Sequence, residues 1–284
     1  MSRAAGPQRG LALIAVLWLV AAMTLIMTGI VGAVRGEIQN AAQQRHALIA
    51  AAQCDAAILL ALQLLSARSS EPGMAPEVIP MEFGGQTLAI TVTPLNGLID
   101  LNHAAMSLLA ALYQHGGGLD ALAARALAQA TIDLRQQRGA KGAAQGIDAA
   151  EDLMRMPAMT YELYAKIRPL VTADLREGSG RVNPVAASWG VLQVLTAGNT
   201  ARARALANGR GADPKLMDTS FFNPEQIEMA SSRSLQLEVQ VKLPDGPSYQ
   251  KAWRVHLSTD PRSGLPWRLL AAQQTFEPLT AGDR

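Results

Sequence analysis

At 284 residues the chain is long enough for one large domain or two modest ones with a buried core. Hydrophobic residues make up 49% and charged residues 17%, with a formal net charge of +2, so there is no basic surplus of the kind nucleic-acid binders show. The single cysteine, Cys54, excludes an internal disulfide and any Cys-x-x-Cys metal or redox motif.

Much of the apolar excess lies near the N-terminus, where no charged residue occurs from Leu11 to Val34. As a helix this run spans roughly 36 Å at ~1.5 Å per residue, enough to cross a ~30 Å hydrocarbon core. Arg3 and Arg9 precede it and Arg35 follows, a balance that favours the N-terminus on the cytoplasmic side. The run is too long for the ~7–15 residue apolar region of a cleaved secretory signal, and no small-x-small site closes it. Two readings remain: an unprocessed signal anchor, or a leader cut on the cytoplasmic side before the apolar run. The string Gln8-Arg9-Gly10-Leu11-Ala12-Leu13-Ile14-Ala15 favours the second. A glycine between a basic leader and an apolar run gives an unhindered, extended scissile bond. Residues 36–67 contain no proline and place Leu48, Ala51, Ile58, Leu62 and Leu65 at helical spacing. One helix is therefore expected from about 11 to about 67, half of it in a membrane and half amphipathic.

Residues 69–85, rich in Pro and Gly, read as a loop. Gln86–Thr93 alternates, with Leu88, Ile90 and Val92 on one face, and reads as a half-buried strand ended by Pro94 and Asn96-Gly97. From Leu98 to about Ala230 the pattern is helical. Leu108, Leu109, Leu112, Leu119, Leu122, Ala126, Ala130 and Leu134 recur at three- and four-residue steps, with glycine-rich breaks at Gly116–Gly118 and Gly139–Gly146. Asp148 is placed to cap a helix through Leu153, Thr160 to cap Tyr161–Leu170, and Asn199 or Thr200 to start another. The segments Gly97-Leu98-Ile99-Asp100-Leu101-Asn102-His103-Ala104-Ala105 and Gly180-Arg181-Val182-Asn183-Pro184-Val185-Ala186-Ala187 echo each other, each with an asparagine positioned to cap the helix that follows. Either two copies of a helical submodule or chance recurrence of helix caps accounts for the echo.

The C-terminal stretch changes period. Leu235–Lys242 alternates, Pro244-Asp245-Gly246-Pro247 is a turn, Tyr249–Leu257 alternates with Trp253, Val255 and Leu257 on one face, Pro261–Gly264 turns again, and Trp267–Phe276 is a last strand. The expected fold is α+β: a long N-terminal helix and an antiparallel sheet, with a large all-α domain inserted after the first strand. The boundaries read as 1–10 leader, 11–34 membrane part of the long helix, 35–94 and 233–284 the helix-and-sheet domain, and 95–232 the inserted helical domain.

The chain resembles the type II secretion system minor pseudopilin K family (general secretion pathway protein K). The stretches that carry the resemblance are Gln8–Leu13 with Val16-Leu17-Trp18-Leu19, Leu98–Asn102, Asp148–Glu162 and Gly180–Pro184, in that order and nearly end to end. Each is of low specificity alone; order and spacing together are more specific. The resemblance implies a precursor cut after Gly10 by the prepilin peptidase and methylated at Leu11. The mature protein would be a single-pass protein of the bacterial inner membrane, with its N-terminus cytoplasmic and its main domain periplasmic. Its place would be the tip of a short pseudopilus, with minor pseudopilins I and J and the major pseudopilin as partners. Most relatives of this kind carry a glutamate five residues after the cut, thought to pair with the N-terminal ammonium of the subunit already assembled. Here that residue is Ala15, consistent with a subunit that has nothing ahead of it. Some members bind calcium through an acidic loop of the insertion. The corresponding stretch here, Arg135–Gly146, has no acid, and Asp133, Asp148, Glu151 and Asp152 read as caps and solvated faces, so no metal or other cofactor is expected.

No catalytic pattern stands out. The four histidines, His46, His103, His115 and His256, form no His-x-x-x-His pair, and there is no Gly-x-Ser-x-Gly, Walker or Gly-x-Gly-x-x-Gly motif, so no enzyme is expected. Two other readings share features with the chain. A minor pilin of a type IV pilus or competence system would have the same leader and long helix. A helix-hairpin-helix nucleic-acid binder would explain Met156–Tyr161, although Ala158-Met159-Thr160 stands where that hairpin needs Gly-x-Gly, so no nucleic-acid partner is expected.

Overall fold

The computed structural model describes residues 9–68, 74–83, 86–137, 146–174, 178–209, 217, 219–242 and 248–277. The expected leader residues before Arg9, most of the Gly139–Gly146 break and the Pro244–Pro247 turn lie outside the described residues.

A single helix, α1, runs from Arg9 to Ala67 over 59 residues, matching the expected extent. At ~1.5 Å per residue it is roughly 88 Å long. Its C-terminal half buries Ala50, Cys54, Ala57, Ile58, Ala61, Leu62 and Leu65. Those positions recur every three or four residues and form one stripe. Most of the stripe is small, which lets the helix axis approach the sheet closely. Ile58, Leu62 and Leu65 supply most of its burial, each worth about 1.5–3 kcal/mol on transfer from water.

The stripe packs on an antiparallel sheet of five strands: β1 (Glu77–Phe83), β2 (Gln86–Pro94), β5 (Ser234–Lys242), β6 (Ser248–His256) and β7 (Arg268–Glu277), in that spatial order. Alternation fixes which face is buried. Leu88, Ile90 and Val92 of β2, and Leu235, Leu237, Val239 and Val241 of β5, point into the core, with Ile90 opposite Val239 and Val92 opposite Leu237. The fold is α+β.

The expectation of an insertion after the first strand is corrected: β1 precedes β2, so the chain leaves the sheet after the second strand. The segment resembled a loop because of Pro80 and its Pro/Gly flanks. Pro80 is exposed in an edge strand, where a missing N–H breaks no ladder.

Between β2 and β5 the chain builds a second core. It contains Leu108 and Leu109 of α2 (Met106–Ala111), Leu127 of α3 (Ala121–Gln136), Ile167 of α4 (Tyr161–Ile167), Leu192 of α5 (Trp189–Leu195) and Leu206 of α6 (Thr200–Gly209), together with Ile99, Leu112, Tyr113 and Leu153 from the segments around them. Four caps are side-chain bonds: Asp120 accepts from the Leu122 and Ala123 amides, Thr160 from Leu163, Ser188 from Val191, and Asn199 from Arg202. The buried Tyr113 hydroxyl lies 2.6 Å from Thr131 Oγ1, which donates to the Leu127 carbonyl at 2.9 Å, so this polar pair is satisfied inside the core.

Three local expectations change. This region is not all-α: β3 (Ile99–Asp100) pairs in parallel with β4 (Val171–Thr172), and Val182 bridges Ile227. Asp148 does not cap. Residues Ala150–Arg155 form a short 3-10 stretch, and Asp152 reaches back to accept from the Asp148 and Ala149 amides. Asn102 and Asn183 do not cap helices either, because each is drawn into a long-range contact described below.

Candidate functional site

α1 is the feature whose chemistry is least explained by the fold. Every described side chain from Leu13 to Leu25 is exposed, including Leu13 at 72%, Trp18 at 73% and Leu25 at 75%. A helix apolar on all sides has no face reserved for a protein core; it requires lipid or other helices. The helix is long and apolar enough to cross a membrane once, by length and composition. Among the described residues the stretch Glu37–Ala67 passes that test, through a window of mean hydropathy 1.9, but 39% of that window is buried in the protein. That burial is the sheet-facing stripe, which accounts for the hydrophobicity without a bilayer. The apolar segment Leu13–Leu25 has no such cover.

The sequence-predicted processing residues fall at the start of this helix. Gly10 is the second helical residue, not part of an extended segment, and Leu11 follows it in the first turn, where amides still lack intrahelical acceptors. Ala15 is exposed one turn further on. The other face of the C-terminal half, with Ile38, Leu48, Ile49, Leu59 and Leu64, leaves apolar side chains uncovered.

The two echo segments meet. The Asn183 amide donates to the Asn96 carbonyl at 2.8 Å. A Cβ on Gly97 would lie 2.4 Å from the Ala186 carbonyl, and one on Gly180, at φ +74°, would lie 2.2 Å from the His103 carbonyl. Each segment's glycine is where the other segment crosses it. Asn183 is fully buried and donates to the Met74 carbonyl at 2.7 Å and the Ala230 carbonyl at 3.2 Å, while its Oδ1 accepts from the Val185 amide. Asn102 accepts from the Ile147 amide and donates to the Ile147 carbonyl, fastening a loop 45 residues away. Sequence reasoning found both asparagines but assigned them a local role; nothing within one segment reveals the partner.

Beside this crossing, Asp100 accepts from the Asn102 amide and lies 2.5 Å from His103 Nδ1, while Arg135 donates to the Leu101 and Ala104 carbonyls. Asp100 is 3% exposed. Burial pushes its carboxyl above the usual range, against the pull of the Asn102 amide, His103 and Arg135. A carboxyl that holds its proton more tightly when folded contributes its stabilisation below the unfolded value, about 3.9, and loses it as pH rises through the folded value. The deficit of Asp100→Asn relative to the native chain is therefore expected to narrow as pH rises from about 4 to about 7. Denaturant unfolding at each pH checks this, and a deficit that widens across the window would refute it.

Three of the four acids considered for a metal are engaged elsewhere. Asp133 accepts from Gln129, Glu151 from Tyr164 and Arg168, and Asp152 from two backbone amides. Among the described residues no three His, Cys, Asp or Glu side chains converge. In the Met156–Tyr161 turn, Met156 and Met159 are buried and the Met159 amide donates to the Met156 carbonyl, so the turn serves to pack α4. No protein-family profile matches the chain, and neither does any curated protein.

Proposed function

We propose that the chain is a minor pseudopilin that caps the tip of a type II secretion pseudopilus, with a structural role and no reaction of its own. One observation carries the reading: a continuous 59-residue helix whose C-terminal half is bound to its own sheet while every described side chain from Leu13 to Leu25 is exposed. Such a helix suits a subunit held in the inner membrane through residues 11–34 and then withdrawn into a filament of like helices. The bulk between β2 and β5 supports a terminal position, since that mass would obstruct neighbours on all sides. Ala15 supports it too, because a subunit without a predecessor needs no acid to meet a neighbour's ammonium. Gly10 and Leu11 would be the cut site and the methylated residue for the prepilin peptidase, and minor pseudopilins I and J with the major pseudopilin the partners below it.

The test is intact-mass and N-terminal analysis of the protein extracted from membranes of a host with a prepilin peptidase. The expected first residue is N-methyl-leucine at position 11, and Gly10→Val is expected to leave the leader attached. A native chain that keeps its leader with the peptidase present would overturn the processing and the class together. If the leader is removed but the tip crosslinks to pilus subunits instead of pseudopilins, the protein is a type IV minor pilin.

A further inference from the structure

A cleft of about 610 Å³ opens where the two ends of the helical insertion meet the margin of the sheet. Three arginines line it: Arg181 after the Gly178–Gly180 loop, Arg233 just before β5, and Arg268 at the start of β7. Among the described residues none of the three has a carboxylate within ion-pair distance, whereas Arg68, Arg155, Arg168 and Arg254 each have one. Asp260, which holds its own turn through Arg262 and Ser263, feels Arg268 at longer range. The acids lining the cleft are Glu228 and Asp100, and Asp100 is already held by the Asn102 amide and His103. Three guanidinium groups thus face one uncommitted carboxylate.

The backbone that carries these arginines is fixed. Ser179 Oγ accepts from the Arg181 amide at 3.2 Å, Ser232 Oγ accepts from the Ser234 amide at 3.1 Å, and Ser234 Oγ lies 2.9 Å from His256 Nδ1. Guanidinium forks carried on an anchored backbone can take carboxylates bidentately. A small inorganic anion brings a single charge centre to three arginines, whereas a peptide with acidic side chains brings several carboxylates. The volume of the cleft is also larger than an inorganic ion needs.

We propose that this cleft binds an acidic peptide segment of a partner protein, with Arg181, Arg233 and Arg268 taking its carboxylates. Because it is lined from both the insertion and the sheet, an occupant ties the two together. The site does not depend on how the long helix is used.

The test uses the full-length chain in detergent micelles and fluorescein-labelled hexaglutamate, followed by fluorescence anisotropy, with hexalysine as the charge-reversed probe. Hexaglutamate is expected to bind, more weakly as salt rises, and hexalysine not to bind. The combined Arg181→Ala, Arg233→Ala and Arg268→Ala variant is expected to lose at least about tenfold in affinity, and the exposed pair Arg125→Ala and Arg204→Ala to lose nothing. Glu228→Gln removes the like charge facing the ligand and is expected to bind several-fold tighter, a gain that misfolding does not produce. An absence of hexaglutamate binding, or equal binding by the triple variant, would overturn the proposal. So would displacement of the peptide by sulfate beyond that caused by chloride at equal ionic strength, since it would mark a simple anion site.

Discussion

Asn183→Ala is expected to lower the stability of the folded chain by about 3–5 kcal/mol, the range seen when a buried hydrogen-bonding side chain is removed from several partners at once. Asn183 is fully buried and reaches three places: the Met74 carbonyl before β1, the Val185 amide in its own turn, and the Ala230 carbonyl before β5. The Asn96 side chain donates to the same Ala230 carbonyl at 3.0 Å. Truncation therefore strips a donor from two backbone carbonyls and an acceptor from one amide, and leaves a void no other side chain fills. Because the lost bonds join the approaches to β1 and β5, the damage is expected to fall on the coupling of the two cores. Hydrogen exchange read by mass spectrometry is the suitable measurement: protection should fall first in residues 74–83 and 178–233, before the β5–β6–β7 ladder. A melting temperature within about 2 °C of the native value would show that water replaces the side chain at little cost.

The second large effect is expected at the crossing of the two echo segments. Gly180→Ala combines a left-handed backbone with a Cβ placed 2.2 Å from the His103 carbonyl and 2.7 Å from its carbon. The conformation alone costs roughly 1–2 kcal/mol for an L residue, and moving apart two packed backbone segments adds more, so a loss above about 3 kcal/mol is expected. Two further variants separate the causes. Gly264 has φ +70° with nothing within 4 Å of a Cβ, so Gly264→Ala carries only the conformational cost. A Cβ on Gly97 lies 2.4 Å from the Ala186 carbonyl with no positive φ, so Gly97→Ala carries only the overlap. Unfolding free energies should rank Gly180→Ala as the worst and Gly264→Ala as the mildest. If Gly97→Ala proved as mild as Gly264→Ala, the crossing would be compliant and the contact argument would fail.

Elements whose burial follows from their own period were legible in the sequence. β2, β5 and β6 alternate because one face meets α1, and α4 and α6 begin where Thr160 and Asn199 offer oxygens to the next amides. The length of α1 was equally plain from a long run without proline and rich in alanine and leucine. What escaped depends on tertiary partners. β1 was hidden by Pro80, which is tolerated only because the strand lies at the edge. Asn102 and Asn183 carried the composition of caps, yet their oxygens found amides at Ile147 and Val185, and their side-chain amides found distant carbonyls. The arginine cleft was invisible for the same reason, since Arg181, Arg233 and Arg268 stand far apart in the chain and meet only through the packing of loop and strand ends. Of the site on α1, the apolar character of the N-terminal half was readable from Leu11–Val34 alone; the exposure of the side chains from Leu13 to Leu25 needed the structure.

The strand order carries a consequence for how such a chain diversifies. β2 and β5 are hydrogen-bonded neighbours, with Pro94 opposite Leu235, so the long excursion between them starts and finishes across a single rung of the ladder. Neighbouring strands stand about 4.8 Å apart, a gap that any connection can bridge, from a tight turn to a whole folded unit. The order β1-β2-β5-β6-β7 is then a plain up-and-down meander for which the length of that connection is immaterial. Residues of the excursion can be gained, lost or exchanged without shifting the pairing of Ile90 with Val239 or the seat of α1. The ladder thus sets where the excursion starts and finishes, and leaves its size and contents open.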